Sequence, residues 1–357
     1  MNLMGRRRAI RYVTRPRNGR PWQSAGILAI CLVVSACATS PSPSPSGASP
    51  TARVASSGVA GHHPPGCLDA EFHFEPTIGK LILANCVDQM DVASVEQIWA
   101  WDGTTWELID AGGPPAMVVT GIAWDTDRRT LVRYGGLPMD SNDCTDETWE
   151  WDLTAWTRVV AEAPPACDHM KLVYDAAMRA TLLFGGQDAG GIPSAETWAW
   201  DGASWRRVAT DGPPFRAHFD LVYENGHGHA LLWGGFDGDR VFNDFWSWDG
   251  TAWAELAFPG VSARSHASMV VTPDGLMLFG GATSTSTYAS LTDETWLLTH
   301  DQWSRLDGPA PSPRGMAAIG YDPERDVVVL YGGFGADAGA LADTWQWDGE
   351  WRCVDGC

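Results

Sequence analysis

Short apolar runs alternate with connections rich in glycine, aspartate and proline over most of the chain. In residues 169–214, the segments 169–174 and 180–184 are apolar, 196–201 contains two alternating tryptophans, and 204–208 contains a third. Short runs of aliphatic and aromatic side chains bounded by Gly, Asp and Pro are typical of β-strands joined by turns. This unit therefore predicts four consecutive strands.

Two turn signals recur at fixed places in these units. A Gly-Gly pair follows the second apolar run in five units, and the first unit has Ala84-Asn85 instead. Because Asn tolerates positive φ, we expect the turn to persist there. Asp-Gly, a strong hairpin signal, joins the third and fourth runs, with Asp152-Leu153 and His300-Asp301 as replacements in two units. The glycine pairs are Gly135-Gly136, Gly185-Gly186, Gly234-Gly235, Gly280-Gly281 and Gly332-Gly333.

Tryptophan repeats with a spacing of 48 to 50 residues, which indicates an array of one supersecondary unit. The first series is Trp99, Trp149, Trp198, Trp246, Trp296 and Trp345. The second series is Trp106, Trp156, Trp205, Trp253, Trp303 and Trp351. Each ring can remove about 150–250 Å² of surface from water. We therefore expect the repeated tryptophans to pack between neighbouring units rather than to present sugar-stacking platforms.

The apolar run into Gly-Gly, the Asp/Glu-Thr-Trp segment and the later tryptophan together resemble the kelch repeat. This resemblance covers residues 67–357. It implies an all-β fold: a six-bladed kelch-type β-propeller with four antiparallel strands per blade, in which the first strand of each blade lines a central channel. Each unit supplies all four of its strands, so the ring needs no exchanged strand to close.

The front of the chain has the features of an export signal. Residues 1–36 contain seven arginines and then the apolar stretch 25–36, which is shorter than a membrane span. The sequence Val34-Ser35-Ala36-Cys37 resembles a bacterial lipobox, which implies cleavage before Cys37 and lipidation of its thiol. An ordinary secretory signal and a twin-arginine signal at Arg7-Arg8 are the alternatives. Residues 37–66 then form a Ser/Pro-rich linker that we expect to remain unpacked.

The charge balance limits the partners of this protein. The chain has 24 basic and 44 acidic residues, and removing the seven leader arginines leaves 17 against 44, a net charge of −27. Such an acidic domain repels phosphate backbones and anionic lipid. We therefore expect no nucleic-acid partner, membrane contact through the lipid anchor alone, and a monomer. The prediction is an extracytoplasmic, membrane-anchored lipoprotein on the cell surface or in the periplasm.

Six cysteines follow the lipobox, and an even number in an exported chain favours disulfides. The kelch resemblance puts Cys144, in a loop between second and third strands, on the same face as Cys167, in the link to the next blade. It thereby predicts a Cys144–Cys167 disulfide. The other four can pair within each end or close the ring, for example through Cys67–Cys357. These four are Cys67, Cys86, Cys353 and Cys357.

Three histidines share one repeat position at the start of the first strands: His169, His218 and His266. Blades two and six have Val118 and Met316 there. Three imidazoles at a channel mouth could hold a metal. However, an arginine two residues before two of them resembles the structural Arg/His signature of kelch repeats. We therefore predict no metal or cofactor and keep these histidines as weak candidate ligands.

The loops after each Gly-Gly vary in length and share one face, and variable loops on a rigid scaffold commonly carry binding. The candidate ligand contacts on this loop face are Asp188, Phe236, Asp237, Asp239, Arg240 and Tyr288. The chain lacks the Gly-x-Ser-x-Gly nucleophile motif and the phosphate-cradling glycine loop. No catalytic residue is therefore predicted.

These features favour a binding or scaffold module whose ligand is a protein or a glycan held on the loop face or at the channel mouth. The alternative is a carbohydrate-active enzyme, similar to sugar mutarotases or oxidases, that uses the central channel. An enzyme should gather charged groups and histidines with perturbed pKa values around an axial pocket. A binding module should instead expose an apolar or aromatic patch among its loops.

Overall fold

The computed structural model describes residues 63–86, 95–138, 141, 143–337 and 339–357. The predicted signal peptide (residues 1–36), the predicted lipidation site Cys37 and the linker up to residue 62 lie outside the described residues. Pro64 and Pro65 accept hydrogen bonds from the Tyr331 hydroxyl at 2.7 and 3.0 Å. The chain therefore already contacts the last blade before Cys67.

The described chain folds as six four-stranded antiparallel sheets, which confirms the predicted all-β propeller. Blade 1 consists of β1 (Glu71–Glu75), β2 (Lys80–Ala84), β3 (Ile98–Trp101) and β4 (Trp106–Asp110). Blade 2 consists of β6 (Gly121–Asp125), β7 (Thr130–Tyr134), β9 (Thr148–Trp151) and β10 (Trp156–Val159). Blade 3 consists of β11 (Asp168–Asp175), β12 (Ala180–Gln187), β13 (Thr197–Trp200) and β14 (Trp205–Ala209). Two short strands, β5 (Met117–Val118) and β8 (Leu137–Pro138), pair beside blade 2.

Blades 4 to 6 repeat the arrangement. Blade 4 consists of β15 (Asp220–Glu224), β16 (His229–Trp233), β17 (Phe245–Trp248) and β18 (Trp253–Leu256). Blade 5 consists of β19 (Ser268–Thr272), β20 (Gly275–Phe279), β21 (Thr295–Thr299) and β22 (Gln302–Leu306). Blade 6 consists of β23 (Ala318–Asp322), β24 (Val327–Tyr331), β25 (Thr344–Trp347) and β26 (Trp351–Asp355). Over the described ranges the one helical element is the 3₁₀ turn Thr287–Ser290, and no helix there is long and apolar enough to cross a membrane.

The ring closes without strand exchange. In every blade the four strands are consecutive in sequence, apart from the short β8, and lie side by side in that order. The first strands contact one another around the axis, and β1 packs against β23 to join blade 1 to blade 6. These six first strands form the wall of the central channel, as predicted.

A hydrogen bond between indole and threonine links neighbouring blades. Trp106 Nε1 in blade 1 donates to Thr344 Oγ1 in blade 6 at 3.0 Å, and both side chains are buried. The same bond recurs as Trp205 to Thr148, Trp253 to Thr197 and Trp351 to Thr295. The threonine of each Thr-Trp pair is therefore the acceptor for the fourth strand of the following blade.

Two blades break this pattern for a visible reason. Ile98 and Phe245 occupy the threonine position in blades 1 and 4. The tryptophans that face them, Trp156 and Trp303, have a buried Nε1 without a hydrogen-bond partner among the described residues. Ile98 and Phe245 have no hydroxyl group to accept the hydrogen bond, so these two indole rings interact with the neighbouring blade through packing.

The structure corrects the expected position of the first turn. Ala84 pairs opposite Glu71 just as Phe184 pairs opposite Lys171, so Ala84 is the last strand residue and not the first glycine equivalent. Asn85 takes the first glycine position with a φ of 58°, and Cys86 takes the second. Asn85 does adopt the left-handed conformation, as expected. The predicted pair Ala84-Asn85 is one residue too early, because Asn85-Cys86 occupies the positions of the glycine pair.

Three disulfides join the six cysteines of the domain. Cys144 pairs with Cys167, with a Cα–Cα distance of 5.6 Å. The other four pair within each end, Cys67 with Cys86 and Cys353 with Cys357. The contact between β1 and β23 and the Trp106–Thr344 hydrogen bond, rather than a disulfide, therefore join the ends of the ring.

Candidate functional site

The central channel holds a cavity of about 430 Å³ lined by the first strands. Its lining includes three histidines at the loop-face end: His169, His218 and His266. At the opposite end it includes turns between first and second strands, where Thr126 and Asn225 are exposed. Small-molecule sites commonly have volumes of about 300–1,000 Å³, so the cavity has the size of a ligand site.

The backbone sets a common register for the cavity wall. One residue in each blade, next to the loop-face end of the first strand, has a φ between 50° and 59°. These residues are Asp69, Val119, His169, His218, His266 and Met316. The predicted equivalent in blade 2, Val118, is therefore wrong by one residue. His169 N–H donates to Val119 O at 3.1 Å and His266 N–H donates to His218 O at 2.8 Å, which ties neighbouring blades together.

A polar layer lies two residues further along these strands. Blades 1, 3, 4 and 5 contribute Glu71, Lys171, Asp220 and Ser268, all of which line the cavity. The corresponding residues of blades 2 and 6 are Gly121 and Ala318. Three blades thus have a charged side chain where the others have Ser, Gly or Ala, and the fold brings these side chains to a single level of the channel.

Lys171 forms an ion pair that spans two blades. Its Nζ donates to Glu71 Oε1 and lies 3.6 Å from Asp69 Oδ1. Burial alone would lower the pKa of Lys171, but Glu71, Asp69 and Asp220 outweigh burial and raise it. The lysine is therefore charged at neutral pH, and it holds two carboxylates of blade 1 against blade 3.

Asp220 is the third carboxylate of this layer. Its oxygens accept hydrogen bonds from the backbone N–H of Leu221, at 2.8 Å, and of Met269. Burial raises the pKa of Asp220 to about 6, although Lys171 acts in the opposite direction. Burial also raises the pKa of Asp69, against the influence of Lys171. A carboxyl group that titrates near neutrality beside a lysine has the properties of an acid–base group.

His73 lines the same cavity two residues after Glu71. Burial lowers its pKa to about 4, so the ring is neutral at neutral pH. Its Nε2 atom is buried and has no hydrogen-bond partner among the described residues. The hydrogen-bonding capacity of this nitrogen is therefore unused within the described part of the chain.

The three histidines of the repeat position do come together at the loop-face end of the cavity. The rings of His218 and His266 stack with centroids 4.0 Å apart, and His169 meets His218 edge-on at 5.0 Å. Burial lowers the pKa of His266 to about 3 and that of His218 well below its usual value. Within the described ranges, no group of three or more His, Cys, Asp or Glu residues has an arrangement that could hold a metal.

Two of the predicted loop-face contacts join this histidine layer. Phe236 stacks on His218 with centroids 5.6 Å apart. Tyr288, in the 3₁₀ turn, meets Phe334 edge-on, and Phe334 in turn meets His266. Aromatic side chains from the loops therefore cover the histidines on the side away from the cavity.

The remaining predicted contacts shape their own loops. Asp188 accepts backbone hydrogen bonds from Gly190 and Ile192 at 2.8 and 2.9 Å. Asp237 accepts backbone hydrogen bonds from Asp239 and Arg240 and pairs with the Arg240 side chain at 3.2 Å. These groups are partly satisfied within turns, and no contact of the described residues joins Asp188 to the others.

The polar layer is the part of the site that the sequence reasoning missed. A usable signal was present, because the chain has two lysines and one of them, Lys171, lies inside an apolar first strand. Glu71 and Asp220 stand at the same repeat position, where blades 2 and 6 have small residues. Comparing the blades position by position would have identified the layer.

Comparison with known proteins supports the fold alone. No family model matches the chain, and no curated protein sequence matches it. The solved structure of YjhT is similar, with a TM-score of 0.66 and 12% sequence identity over 84% of this chain and 100% of that one. This similarity confirms the propeller fold, whereas membership of the kelch family stays a prediction.

Proposed function

We propose that this protein is a kelch-type, lipid-anchored extracytoplasmic propeller that binds a small hydroxyl-rich ligand, of monosaccharide size, in its central channel. The observation that carries the proposal is the polar layer in the axial cavity, where Lys171 connects Glu71 and Asp69. A free saccharide or one unit of a longer glycan presents hydroxyl groups that can both donate and accept hydrogen bonds. A cavity wall that combines a lysine, carboxylates and neutral imidazoles suits such groups.

The channel is a better candidate than the loop face. The loop acids Asp188 and Asp237 already accept hydrogen bonds from their own turns. Phe236 is committed to packing on His218, and Tyr288, although 41% exposed, contacts Phe334. The channel instead has carboxylates beside Lys171 and the His73 Nε2 atom, which no residue described by the structure engages in a hydrogen bond.

Acid–base catalysis on a sugar is the second candidate function, and the raised pKa of Asp220 favours it. Mutarotation needs one group to give a proton to the ring oxygen and another to take a proton from the anomeric hydroxyl. With a pKa of about 6, Asp220 can exchange a proton near neutrality. The catalytic candidate is tested by following the optical rotation of freshly dissolved sugars with wild type and Asp220→Asn.

Ligand binding in the channel is tested by calorimetric titration of the detergent-solubilised full-length protein with a panel of monosaccharides. We expect Lys171→Met to weaken the binding of neutral monosaccharides by about tenfold or more, because it removes a charged hydrogen-bond donor from the cavity wall. Lys80→Met is the matched control, since Lys80 pairs with Glu107 outside the cavity lining. Equal affinities for the two variants would contradict a channel site.

The anchor is tested separately by cell fractionation and mass spectrometry. We expect Cys37→Ala to abolish lipidation and to release the protein from membranes or block its processing. Cys31→Ala, in the predicted leader, is the matched control and should leave the mature mass unchanged. Membrane retention and mass that are unaffected by Cys37→Ala would refute the predicted lipobox.

A further inference from the structure

The charged side chains of the channel do not balance. Asp69, Glu71 and Asp220 line the cavity, and Lys171 is the one lysine or arginine among the described residues that line it. Burial lowers the pKa of His73 and of His266, so these rings do not supply compensating charge at neutral pH. Above about pH 6, where Asp220 is ionised, the carboxylates of the cavity therefore outnumber the lysine, in surroundings that screen charge less than water does.

The lysine is placed to neutralise one side of the cavity. It contacts Glu71 and lies 3.6 Å from Asp69, whereas Asp220 has no ion pair among the described residues. The partners of Asp220 are two backbone N–H groups, from Leu221 and Met269. A half-buried carboxylate without an ion pair attracts a cation from solution, because pairing offsets part of the cost of desolvating the charge.

A second, independent observation shows where the uncharged part of a ligand can bind. His73 lines the same cavity as Asp220 and Lys171, and no residue in the described ranges gives its buried Nε2 atom a hydrogen bond. A buried polar atom without a hydrogen bond costs about 1–3 kcal/mol, so a ligand that supplies the missing partner gains this energy. The site thus combines an unpaired hydrogen-bonding atom with an excess of negative charge.

We propose that the channel ligand carries a protonated amine beside its hydroxyl groups, as an amino sugar does, and that the channel rejects sugars bearing a carboxylate. The ammonium group binds at Asp220, the carboxylate that Lys171 does not pair with, and a hydroxyl group binds His73. This inference rests on the proposed function, because it names the class of ligand for the same cavity. It also matches the overall charge of the chain, which attracts cations and repels anions over a longer range.

The experiment compares three probes of similar size by calorimetric titration of the full-length protein in detergent. The probes are glucosamine, glucose and glucuronate, measured at about pH 6.5 and equal ionic strength, where the amine is protonated and the carboxylate ionised. We expect glucosamine to bind about tenfold or more tightly than glucose, and glucuronate to bind more weakly than either, because like charges repel strongly in a desolvated site.

The variant Asp220→Asn identifies the group responsible. It removes the charge but keeps the shape, and we expect it to reduce the preference for glucosamine over glucose by about tenfold. Asp348→Asn is the matched control, because Asp348 pairs with Arg352 outside the cavity lining. Thermal unfolding of both variants verifies that they fold.

The outcomes distinguish the preference for an amine from the existence of a sugar site in the channel. Equal binding of the three probes, or tightest binding of glucuronate, would overturn the amine preference and leave a sugar site in place. A preference for glucosamine that survives Asp220→Asn would overturn the assigned role of Asp220. If none of the probes binds, both the amine preference and the sugar site are wrong.

Discussion

Removing the acceptor of one interblade hydrogen bond should destabilise the propeller measurably. Thr344→Val keeps the shape of the side chain and deletes the hydroxyl that accepts from Trp106 Nε1 at 3.0 Å. Thr344 is fully buried and Trp106 is 7% exposed, so water cannot replace the lost partner. Leaving a buried donor unsatisfied costs about 1–3 kcal/mol, and we expect the free energy of unfolding to fall by that amount.

The same substitution can be made where there is no bond to lose. Thr181, in β12, is also fully buried, and its Oγ1 has no hydrogen-bond partner among the described residues. Thr181→Val therefore removes an unpaired polar atom, and we expect it to be neutral or stabilising. The pair of variants separates the hydrogen bond from the general effect of replacing threonine by valine in the core.

The assay is unfolding by heat and by denaturant, followed through tryptophan fluorescence. A loss of 1 kcal/mol corresponds to a fall in Tm of roughly 2 °C for a domain that spans residues 67–357. The Tm of Thr344→Val should lie below that of the wild type by the shift that corresponds to a loss of about 1–3 kcal/mol. The Tm of Thr181→Val should not lie below that of the wild type. If both variants melt together, the indole–threonine bond does not stabilise the closure of the ring, and the reasoning is wrong.

Three further predictions concern buried charge and cross-links. Arg314→Met should cost about 3–5 kcal/mol in chemical denaturation, because it leaves Asp343 without the bidentate partner that holds it at 2.6 and 2.8 Å. Asp220→Asn should raise Tm at pH 8 but not at pH 3.5. The pKa of Asp220 is raised from 3.8 to about 6 in the folded protein, so its ionisation destabilises the fold progressively between these pH values and fully above about pH 6. Equal shifts at both pH values would contradict this. Replacing both Cys144 and Cys167 by Ala should cost about 3 kcal/mol in the same denaturation assay, since their disulfide closes a loop with a sequence separation of 23. A reducing agent should then destabilise the wild type more than this variant.

The repeat made most of the fold predictable. Thr148, Thr197, Thr295 and Thr344 stand directly before tryptophans of the first series, and the structure shows why: each accepts a hydrogen bond from the next blade. The errors occurred where the repeat is irregular. In blade 1, Ala84 belongs to the strand and Asn85-Cys86 replaces the glycine pair, so aligning by residue type alone shifted the register.

The candidate site was harder to predict because its members contact one another across the channel. Lys171 and Glu71 are separated by 100 residues and come from strands that are not neighbours. Sequence reasoning concentrated on Asp188 and Asp237, which carry typical loop chemistry. Their carboxylates instead stabilise local turns.

The sequence alone determined the number of blades, the four strands in each and, outside blade 1, the glycine turns that follow the second strands. These features depend on local side-chain alternation and on a period that repeats six times. The tertiary structure decided which side chains meet at the axis and how the end cysteines pair, Cys67 with Cys86 and Cys353 with Cys357. The physical reason is that closing the ring brings every first strand to the same axis. Residues far apart in sequence become neighbours there, at distances that local patterns do not encode.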